Sequence, residues 1–223
     1  MGKPKRVDQG GYLYHVLNRA NGRLRIFKKQ GDFEAYERIL AEGVERFEMR
    51  ICGYCIMGNH WHLLLWPRHD GDLSRFMHWT TLTHTQRYHR AHKTVGIGHL
   101  YRGRYKSFPI QGNHHYLTVL RYIEANPLRA KMVVNASEWP WSSYVIRHHG
   151  ASKPLQLSDG PIAIPSDWPE QLGKISKAER VKLLKSLERG VPFGETSWVD
   201  QAVQELKLES TVRRPGRPKK FPK

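Results

Sequence analysis

The sequence predicts an α+β fold in which a central antiparallel sheet is covered by helices and is followed by a small helical region and a basic tail. Segments with the apolar spacing of strands and of helices alternate over residues 1–149. From Gly150 the chain is rich in Pro, Ser, Gly and Asp and loses periodicity, and helical spacing returns after Ser176. We therefore expect a main domain at 1–149, a linker at 150–175, a helical accessory region at 176–210 and a basic tail at 211–223.

The first half of the main domain contains one strand, one helix and a pair of strands. A run of aromatic and β-branched residues predicts the first strand at 12–17. Apolar residues then recur at three- and four-residue steps over 32–47, which predicts a helix. The runs at 50–57 and 60–66 are typical of strands, and the Gly58–Asn59 dipeptide between them suits a tight turn. These two strands should be antiparallel neighbours.

The second half of the main domain returns to helix, strand and helix. Helical spacing covers 73–89, basic residues alternate with others over 102–110, and a further helix covers 113–125. That helix should end before Pro127, because the residue preceding a proline is disfavoured in helical geometry. The order βαββαβα predicts a ferredoxin-like or RRM-like sandwich with helices on one face of a single sheet.

The accessory region carries two helix-start signals. Ser176 with Glu179 three residues later forms a capping-box signature, and Ser197 with Asp200 repeats it more weakly. We expect two short helices that form a small bundle or a unit resembling a helix-turn-helix. The basic tail that follows should be disordered when free.

Charge points to a polyanionic partner. The 223 residues include 37 Lys and Arg against 20 Asp and Glu, a net charge of +17. Membranes are the other polyanion, but no apolar run is long enough to span a bilayer, and the start of the chain lacks the apolar stretch of a signal peptide. We expect a cytoplasmic, nucleoid-associated protein with nucleic acid as partner and no membrane contact.

Two histidines in the third predicted strand are candidate metal ligands. His60 and His62 are two residues apart, so both side chains lie on the same face of a strand. In a chain with 13 histidines a bare pair at this spacing is more often ordinary packed or surface imidazole. Cys52 and Cys55 add a nominal two-Cys, two-His zinc set, but thiols three residues apart should project to opposite faces of a strand.

The last helix of the main domain offers a nucleophile and a neutral metal ligand. Tyr122 and Asn126 are four residues apart and share a helix face. Tyr116 in the same helix is the competing nucleophile, but it lies about 120° around the axis from Tyr122. A helical Tyr that packs with its hydroxyl at the surface, and an Asn before Pro at a helix end, are the ordinary interpretations of these residues.

Several separated motifs resemble the single-tyrosine HUH transposases, in particular the REP-associated tyrosine transposases of bacteria. The resemblance extends over nearly the whole chain. It rests on YHVLNRANGRLRIF at 14–27, YCIMGNHWHLLL at 54–65, LYRGRYKSFPIQ at 100–111, YLTVLRYIEANPLRAKMV at 116–133 and WPWSSY at 139–144.

The resemblance implies a site and a reaction. His60 and His62 match the paired histidines that bind the metal, Tyr122 matches the tyrosine and Asn126 the additional amide ligand. It implies cleavage and joining of single-stranded hairpin DNA through a 5′-phosphotyrosine linkage, by a monomer or a homodimer. Oxygen and nitrogen ligands with phosphate chemistry favour Mg²⁺, with Mn²⁺ as a substitute.

Basic residues outside this set are candidate DNA contacts. Arg102, Arg104 and Lys106 alternate in the fourth strand and should line one face, where Tyr101 and Tyr105 would stack on unpaired bases. A solvated edge strand is the competing interpretation. The resemblance adds a segment beside the hairpin, and the tail resembles an AT-hook. These further candidates are Lys5, Arg6, Arg19, Arg23, Arg25, Arg214 and Arg217.

Two other functions fit the same residues. A non-catalytic single-stranded nucleic-acid-binding module of RRM-like fold would use the basic and aromatic residues without chemistry. A metal-dependent nuclease would activate water at the same histidines and form no covalent intermediate. Both differ from the transposase in predicting no covalent protein–DNA adduct.

Overall fold

The sheet is built from four antiparallel strands. In the computed structural model, residues 7–150 and 152–213 are described, with strands β1 (Leu13–Arg19), β2 (Arg50–Met57), β3 (His60–Trp66) and β4 (Lys106–Ile110). Their order across the sheet is β2-β3-β1-β4. The predicted α+β sandwich and the pairing of β2 with β3 are confirmed.

Helices separate and follow these strands. The helices are α1 (Gln30–Phe47), α2 (Asp72–Ala91), α3 (His114–Glu124), α4 (Asn126–Arg129), α5 (Ser143–His149), α6 (Trp168–Gln171), α7 (Lys177–Arg189), α8 (Thr196–Glu205) and α9 (Glu209–Val212). In the described part of the chain no helix is long and apolar enough to cross a membrane.

Helices cover both faces of the sheet, so the prediction of one covered face is wrong. On the face that we call the α1 face, strand residues such as Val16 and Leu63 pack with α1 and α2. On the opposite face, the α3 face, Leu64 and Phe108 pack with α3. The reason lies in β3, which is apolar on both sides of its pleat, as strands covered on both faces are.

The fourth strand is shorter than predicted. Residues 102–104 form bends, and β4 begins only at Lys106. Gly103 has φ +149°, a backbone conformation that breaks a regular ladder and that other residues rarely adopt. The alternation of basic residues here is therefore not the alternation of a strand.

The helix that carries Tyr122 starts at a side-chain cap and is followed directly by another helical turn. The side chain of Asn113 accepts a hydrogen bond from the backbone N–H of His115. Pro127 lies in the first turn of α4, where its missing N–H has no helical partner to lose. Asn126 is thereby held in a fixed corner between α3 and α4.

The segment expected to be a linker packs on the main domain. Trp168 is fully buried and its Nε1 donates to Oε2 of Glu124 at 2.8 Å. Leu155 is also buried, and the backbone N–H of Ser158 bonds to the carbonyl of Ile51. The domain boundaries themselves remain a prediction.

The accessory helices pack close to β4. The predicted Ser176–Glu179 capping box is present at α7, whose Leu183 joins the core of the α3 face. Beyond α7, the backbone N–H of Phe193 bonds to the carbonyl of Pro109 in β4 at 2.9 Å. The weaker capping prediction at Ser197 is wrong, because Glu195 precedes the first turn of α8.

Candidate active site

A cleft of about 1450 Å³ opens where β1, β3, α3 and the accessory helices meet. All four residues singled out as catalytic or metal-binding line it, together with most of the described basic candidates. These cleft residues are His60, His62, Tyr122 and Asn126, and the basic residues Arg19, Arg102, Arg104, Lys106 and Arg129. Residues far apart in sequence are thus brought to one site.

The two histidines lie on the α3 face of β3, as strand alternation predicts. Their ring centroids are 5.2 Å apart. Trp61 between them points the other way, is fully buried in the α1-face core, and donates from Nε1 to the hydroxyl of Tyr101 at 2.9 Å. The packing of Trp61 therefore anchors the strand that presents both imidazoles to the cleft.

Each histidine has one ring nitrogen engaged. Nδ1 of His60 lies 2.7 Å from Oδ1 of Asn59, whose amide is oriented by donation from Nδ2 to the carbonyl of Arg23 at 3.2 Å. Nδ1 of His62 lies 2.8 Å from Nε2 of His15. In both rings Nε2 is the nitrogen left for another ligand.

Burial keeps these imidazoles neutral. It lowers the pKa of His60 to about 4, with the charge of Arg19 adding to the effect. It lowers the pKa of His62 well below the usual value, with smaller contributions from nearby His and Arg residues. Near pH 7 each ring therefore carries a lone pair that a metal can share.

Tyr122 and Asn126 approach the histidines from the helical side. The ring centroid of Tyr122 is 5.9 Å from that of His62, and Tyr122 is only partly buried. Nδ2 of Asn126 faces the carbonyl of Tyr122 at 3.5 Å, a weak contact that leaves the amide oxygen unused. An amide oxygen, two imidazoles and a phenol share one cleft.

Arg129 fixes Tyr122, whereas Arg121 does not. The guanidinium of Arg129 lies 3.8 Å from the ring centroid of Tyr122, and its Nη1 donates to the Tyr122 carbonyl at 2.7 Å. Arg121 turns away and donates to Gln171 and to the carbonyl of Lys174. Of the two neighbouring cations, only Arg129 is a candidate for acting on the tyrosine.

The competing tyrosine is a core residue. Tyr116 is fully buried in the α3-face core, and it is not among the described residues that line the cleft. Its hydroxyl has no hydrogen-bond partner in the part of the chain that the structure describes. Of the two tyrosines in α3, Tyr122 is therefore the one that substrate in the cleft can reach.

The basic candidates are divided between the cleft, its surroundings and undescribed residues. Arg23 and Arg25 are exposed in the segment between β1 and α1, and Arg25 lies beside Gly58 in the β2–β3 turn. Four predicted DNA contacts, Lys5, Arg6, Arg214 and Arg217, lie outside the described residues.

The aromatic stacking prediction is wrong for Tyr101. The Tyr101 hydroxyl is within 2.6 Å of Nδ1 of His84, deep between the sheet and α2. Tyr105 is buried as well, so neither ring is an exposed platform for bases. Both rings belong to the α1-face core, where the Tyr101 hydroxyl also accepts a hydrogen bond from Nε1 of Trp61.

The two cysteines lie on the same face of the sheet, contrary to the prediction. A β-bulge between Ile51 and Gly53 shifts the register, so Cys52 and Cys55 both join the α3-face core. Both are free and buried. Within the described residues, Cys52, Cys55, His60 and His62 do not supply three ligand atoms close enough for one ion.

One other group in the described ranges has ligand spacing. His114, His115 and Glu195 each place a ligand atom within 4.8 Å of the others, at the start of α3 and about 10 Å along its axis from Tyr122. Glu195 directly precedes α8, and its Oε1 accepts a hydrogen bond at 3.4 Å from Nδ2 of Asn113, the cap of α3. Helix N-termini disfavour a cation while they stabilise a carboxylate. The position of Glu195 is explained by the two helix ends.

Two contributions to the cleft were missed by sequence reasoning. His15 belongs to the same face of the sheet as His62, a relation that the pairing of β1 with β3 creates. The accessory region supplies part of the wall through residues of α7, among them Leu184, Glu188 and Arg189. The basic and apolar character of α7 is visible in the sequence, but its position over β4 is not.

Comparison with known proteins identifies a DNA-cleaving and DNA-joining enzyme of the tyrosine transposase class. Residues 9–126, more than half of the chain, match the family described as Transposase IS200 like. The chain belongs to the IS200-like transposase family, and the resemblance stated from its motifs is confirmed.

Two relatives extend the comparison beyond the matched residues. The chain is 22% identical over 177 residues to the REP-associated tyrosine transposase of Escherichia coli (strain K12), covering 78% of this chain and 93% of that protein. It also superposes with a TM-score of 0.54 and 19% identity on a REP-associated tyrosine transposase bound to a REP hairpin, over 74% of this chain and all of that one. At this identity the superposition shows the shared fold.

Proposed function

We propose that the protein is a metal-dependent single-stranded DNA endonuclease and strand transferase that cleaves at hairpin DNA through a 5′-phosphotyrosine intermediate. One observation carries the proposal: an accessible tyrosine, two neutral imidazoles and an amide converge in a cleft lined by arginines. This combination supplies a nucleophile, metal ligands and phosphate-binding cations at one place.

The donor set fits a divalent metal ion. Nε2 of His60, Nε2 of His62 and the amide oxygen of Asn126 are the atoms that would hold it. We propose Mg²⁺, with Mn²⁺ as a substitute, because phosphate oxygens of the substrate would complete an oxygen-rich shell. When bound, the ion neutralises charge on the scissile phosphate and aligns it for attack.

Tyr122 is the proposed nucleophile of an in-line displacement. Its phenolic oxygen forms a bond to phosphorus and gives up its proton, while the bond from phosphorus to the DNA 3′ oxygen breaks and that oxygen takes up a proton. The products are a 5′-phosphotyrosine linkage and a free 3′ hydroxyl. Joining is the reverse reaction with a different 3′ hydroxyl, so no water is consumed.

Arg129 is suited to assist this step. Besides its contact with the Tyr122 ring, it has a buried Nη2 without a hydrogen-bond partner among the described residues. A buried unpaired donor is costly, and a phosphate oxygen of the substrate would satisfy it. We infer that Arg129 orients the tyrosine and also contacts the scissile phosphate.

The proposed substrate is a folded hairpin with a short single-stranded flank. Support comes from the solved relative, which is bound to a REP hairpin, and from the positive cleft. Arg19 and Arg104 would contact phosphates, which position the strand without reading its sequence. A cytoplasmic, nucleoid-associated location follows as part of the same proposal.

The test is a covalent-adduct assay with labelled single-stranded hairpin DNA. Wild type and Tyr122→Phe are incubated with DNA and either Mg²⁺ or chelator and run on a denaturing gel. Tyr116→Phe is the matched control, because it removes a tyrosine hydroxyl from the same helix outside the cleft. We expect a shifted band for wild type and Tyr116→Phe with Mg²⁺, and none for Tyr122→Phe or with chelator.

Each other result has a defined meaning. Hairpin binding without an adduct in any condition would contradict the catalytic proposal and favour the non-catalytic binding module. Cleavage that persists in Tyr122→Phe and needs metal would instead indicate water as the nucleophile. An adduct lost in Tyr116→Phe alone would show that Tyr116, and not Tyr122, is the nucleophile.

A further inference from the structure

We propose that His15 is a positioning residue that holds His62 in the tautomer needed for metal binding. The inference rests on the proposed role of His62 as a ligand. His15 lies on β1, the strand next to β3. It is two residues before Leu17, which pairs with His62. It is 1% exposed, so its imidazole is part of the interior that supports the cleft rather than of the cleft surface.

The contact between the two rings is a hydrogen bond with a defined consequence. Nε2 of His15 and Nδ1 of His62 are 2.8 Å apart. Two neutral imidazoles share such a bond only when one nitrogen carries the proton and the other accepts it. If His62 donates from Nδ1, its Nε2 has a free lone pair for a metal. If His15 donates, the proton of His62 lies on Nε2 and blocks metal binding.

His15 is not placed as a third ligand. Its nitrogens do not join those of His60 and His62 in a set within 4.8 Å of one another, although all three residues are described. Its ring is instead stacked on Phe108, with ring centroids 5.0 Å apart and an interplanar angle of 29°. Packing on Phe108 fixes the ring plane and directs Nε2 at His62.

The second histidine has the same arrangement with a different acceptor. Nδ1 of His60 faces Oδ1 of Asn59, and the Asn59 amide is itself fixed by its bond to the carbonyl of Arg23. Metal-binding histidines generally donate their other ring N–H to such an acceptor, which sets the tautomer and orientation of the ring. Both candidate ligands are thus held with Nε2 available. The ring nitrogen of His15 is a less usual acceptor than the amide oxygen of Asn59.

The first measurement is the tautomer of His62 in metal-free full-length protein labelled with ¹⁵N. Long-range ¹H–¹⁵N spectra distinguish protonated from unprotonated ring nitrogens. We expect His62 to carry its proton on Nδ1 in wild type and to lose this preference in His15→Leu. A proton on Nε2 of His62 in wild type would overturn the proposal, whether or not the enzyme cleaves DNA.

The second measurement is Mn²⁺ affinity in the absence of DNA, followed by titration of Mn²⁺ in the adduct assay. His15→Leu should bind Mn²⁺ about tenfold to a hundredfold more weakly, and saturating Mn²⁺ should restore most of the adduct rate. His15→Gln keeps an acceptor and should lie between wild type and His15→Leu. His84→Leu, which removes another buried imidazole on the α1 face, should leave Mn²⁺ affinity unchanged.

These experiments separate the inference from the proposed function. Wild type that binds no Mn²⁺ and forms no adduct would contradict the proposed function. The spectra would still show which of the two rings, His15 or His62, donates the hydrogen bond. Wild type that binds Mn²⁺ and cleaves, with His15→Leu unchanged in affinity and tautomer, would overturn the role of His15 alone. If His15→Leu does not fold, the role of His15 is tested by His15→Gln and by the wild-type spectra.

Discussion

The two faces of the sheet are made by the same strands but differ in what they bury. The α1 face is an apolar and aromatic core that includes Tyr36 and Trp61. The α3 face buries apolar residues as well, but around the ends of β1 and β3 it carries His15, His60 and His62 and opens into the cleft. Neighbouring residues of one strand point to different faces. A substitution on one face should therefore lower stability, whereas a substitution one position away should lower activity.

The largest effects should come from Trp61 and His62. Trp61→Ala removes a fully buried ring and its hydrogen bond to Tyr101, and it should lower the free energy of unfolding by about 3–5 kcal/mol. His62→Asn should abolish the covalent adduct while changing stability by about 1 kcal/mol. Urea denaturation and the adduct assay measure the two effects. Equal loss of stability in both variants would show that the faces are not separable.

The next prediction compares two arginines, Arg121 in α3 and Arg129 in α4. Arg129→Ala should slow adduct formation roughly tenfold, because a desolvated cation–aromatic contact contributes about 1–2 kcal/mol and holds the nucleophile. The hydrogen bonds that Arg121→Ala loses go to Gln171 and to the carbonyl of Lys174 and not to Tyr122, so this variant should leave the rate nearly unchanged. Single-turnover rates with saturating DNA make the comparison. A slower Arg121→Ala would mean that this segment also positions Tyr122.

A third comparison concerns how closely a helix approaches the sheet. A methyl group at Gly53 would overlap Cδ1 of buried Leu120, so Gly53→Ala should cost about 1–3 kcal/mol and displace α3. Gly31→Ala is the matched control, because this glycine is in α1 and its added methyl would meet nothing within 4 Å. That control should be neutral or stabilising by up to about 1 kcal/mol. An unchanged Gly53→Ala would show that α3 has room to move.

Local periodicity predicted how the four proposed catalytic and metal-binding residues are arranged in two pairs, but not their function. His60 and His62 lie two residues apart within β3, whereas Tyr122 in α3 and Asn126 at the start of α4 belong to consecutive helices, and both pairs line the cleft. The family resemblance then indicated that the two pairs meet. That meeting depends on strand order and helix packing, which no local spacing encodes.

Relations that depend on distant residues were not predictable in this way. The bulge before Gly53 places Cys52 on the face of Cys55, and Tyr101 lies in the core, where its hydroxyl contacts His84 and Trp61. The segment after Gly150 has the composition of a linker, yet its Trp168 is bound to Glu124 in α3. In each case a tertiary contact overrides a correct local rule.

The remaining prediction is a pH dependence of stability that originates on the α1 face. Burial lowers the pKa of His84 to about 3, whereas the unfolded chain titrates near its usual value of about 6.5. Below that value the unfolded state takes up a proton that the folded state refuses, so stability falls as pH decreases from about 6.5 toward 3. His84 alone contributes a slope on the order of 1 kcal/mol per pH unit in this window. Urea denaturation of wild type and His84→Gln between pH 7 and about 4.5 should show a shallower slope in the variant.

Because the buried histidines of the α3 face add slopes of the same sign, a residual dependence should persist in His84→Gln. Identical slopes in the two proteins would mean that His84 gains access to water before the chain unfolds.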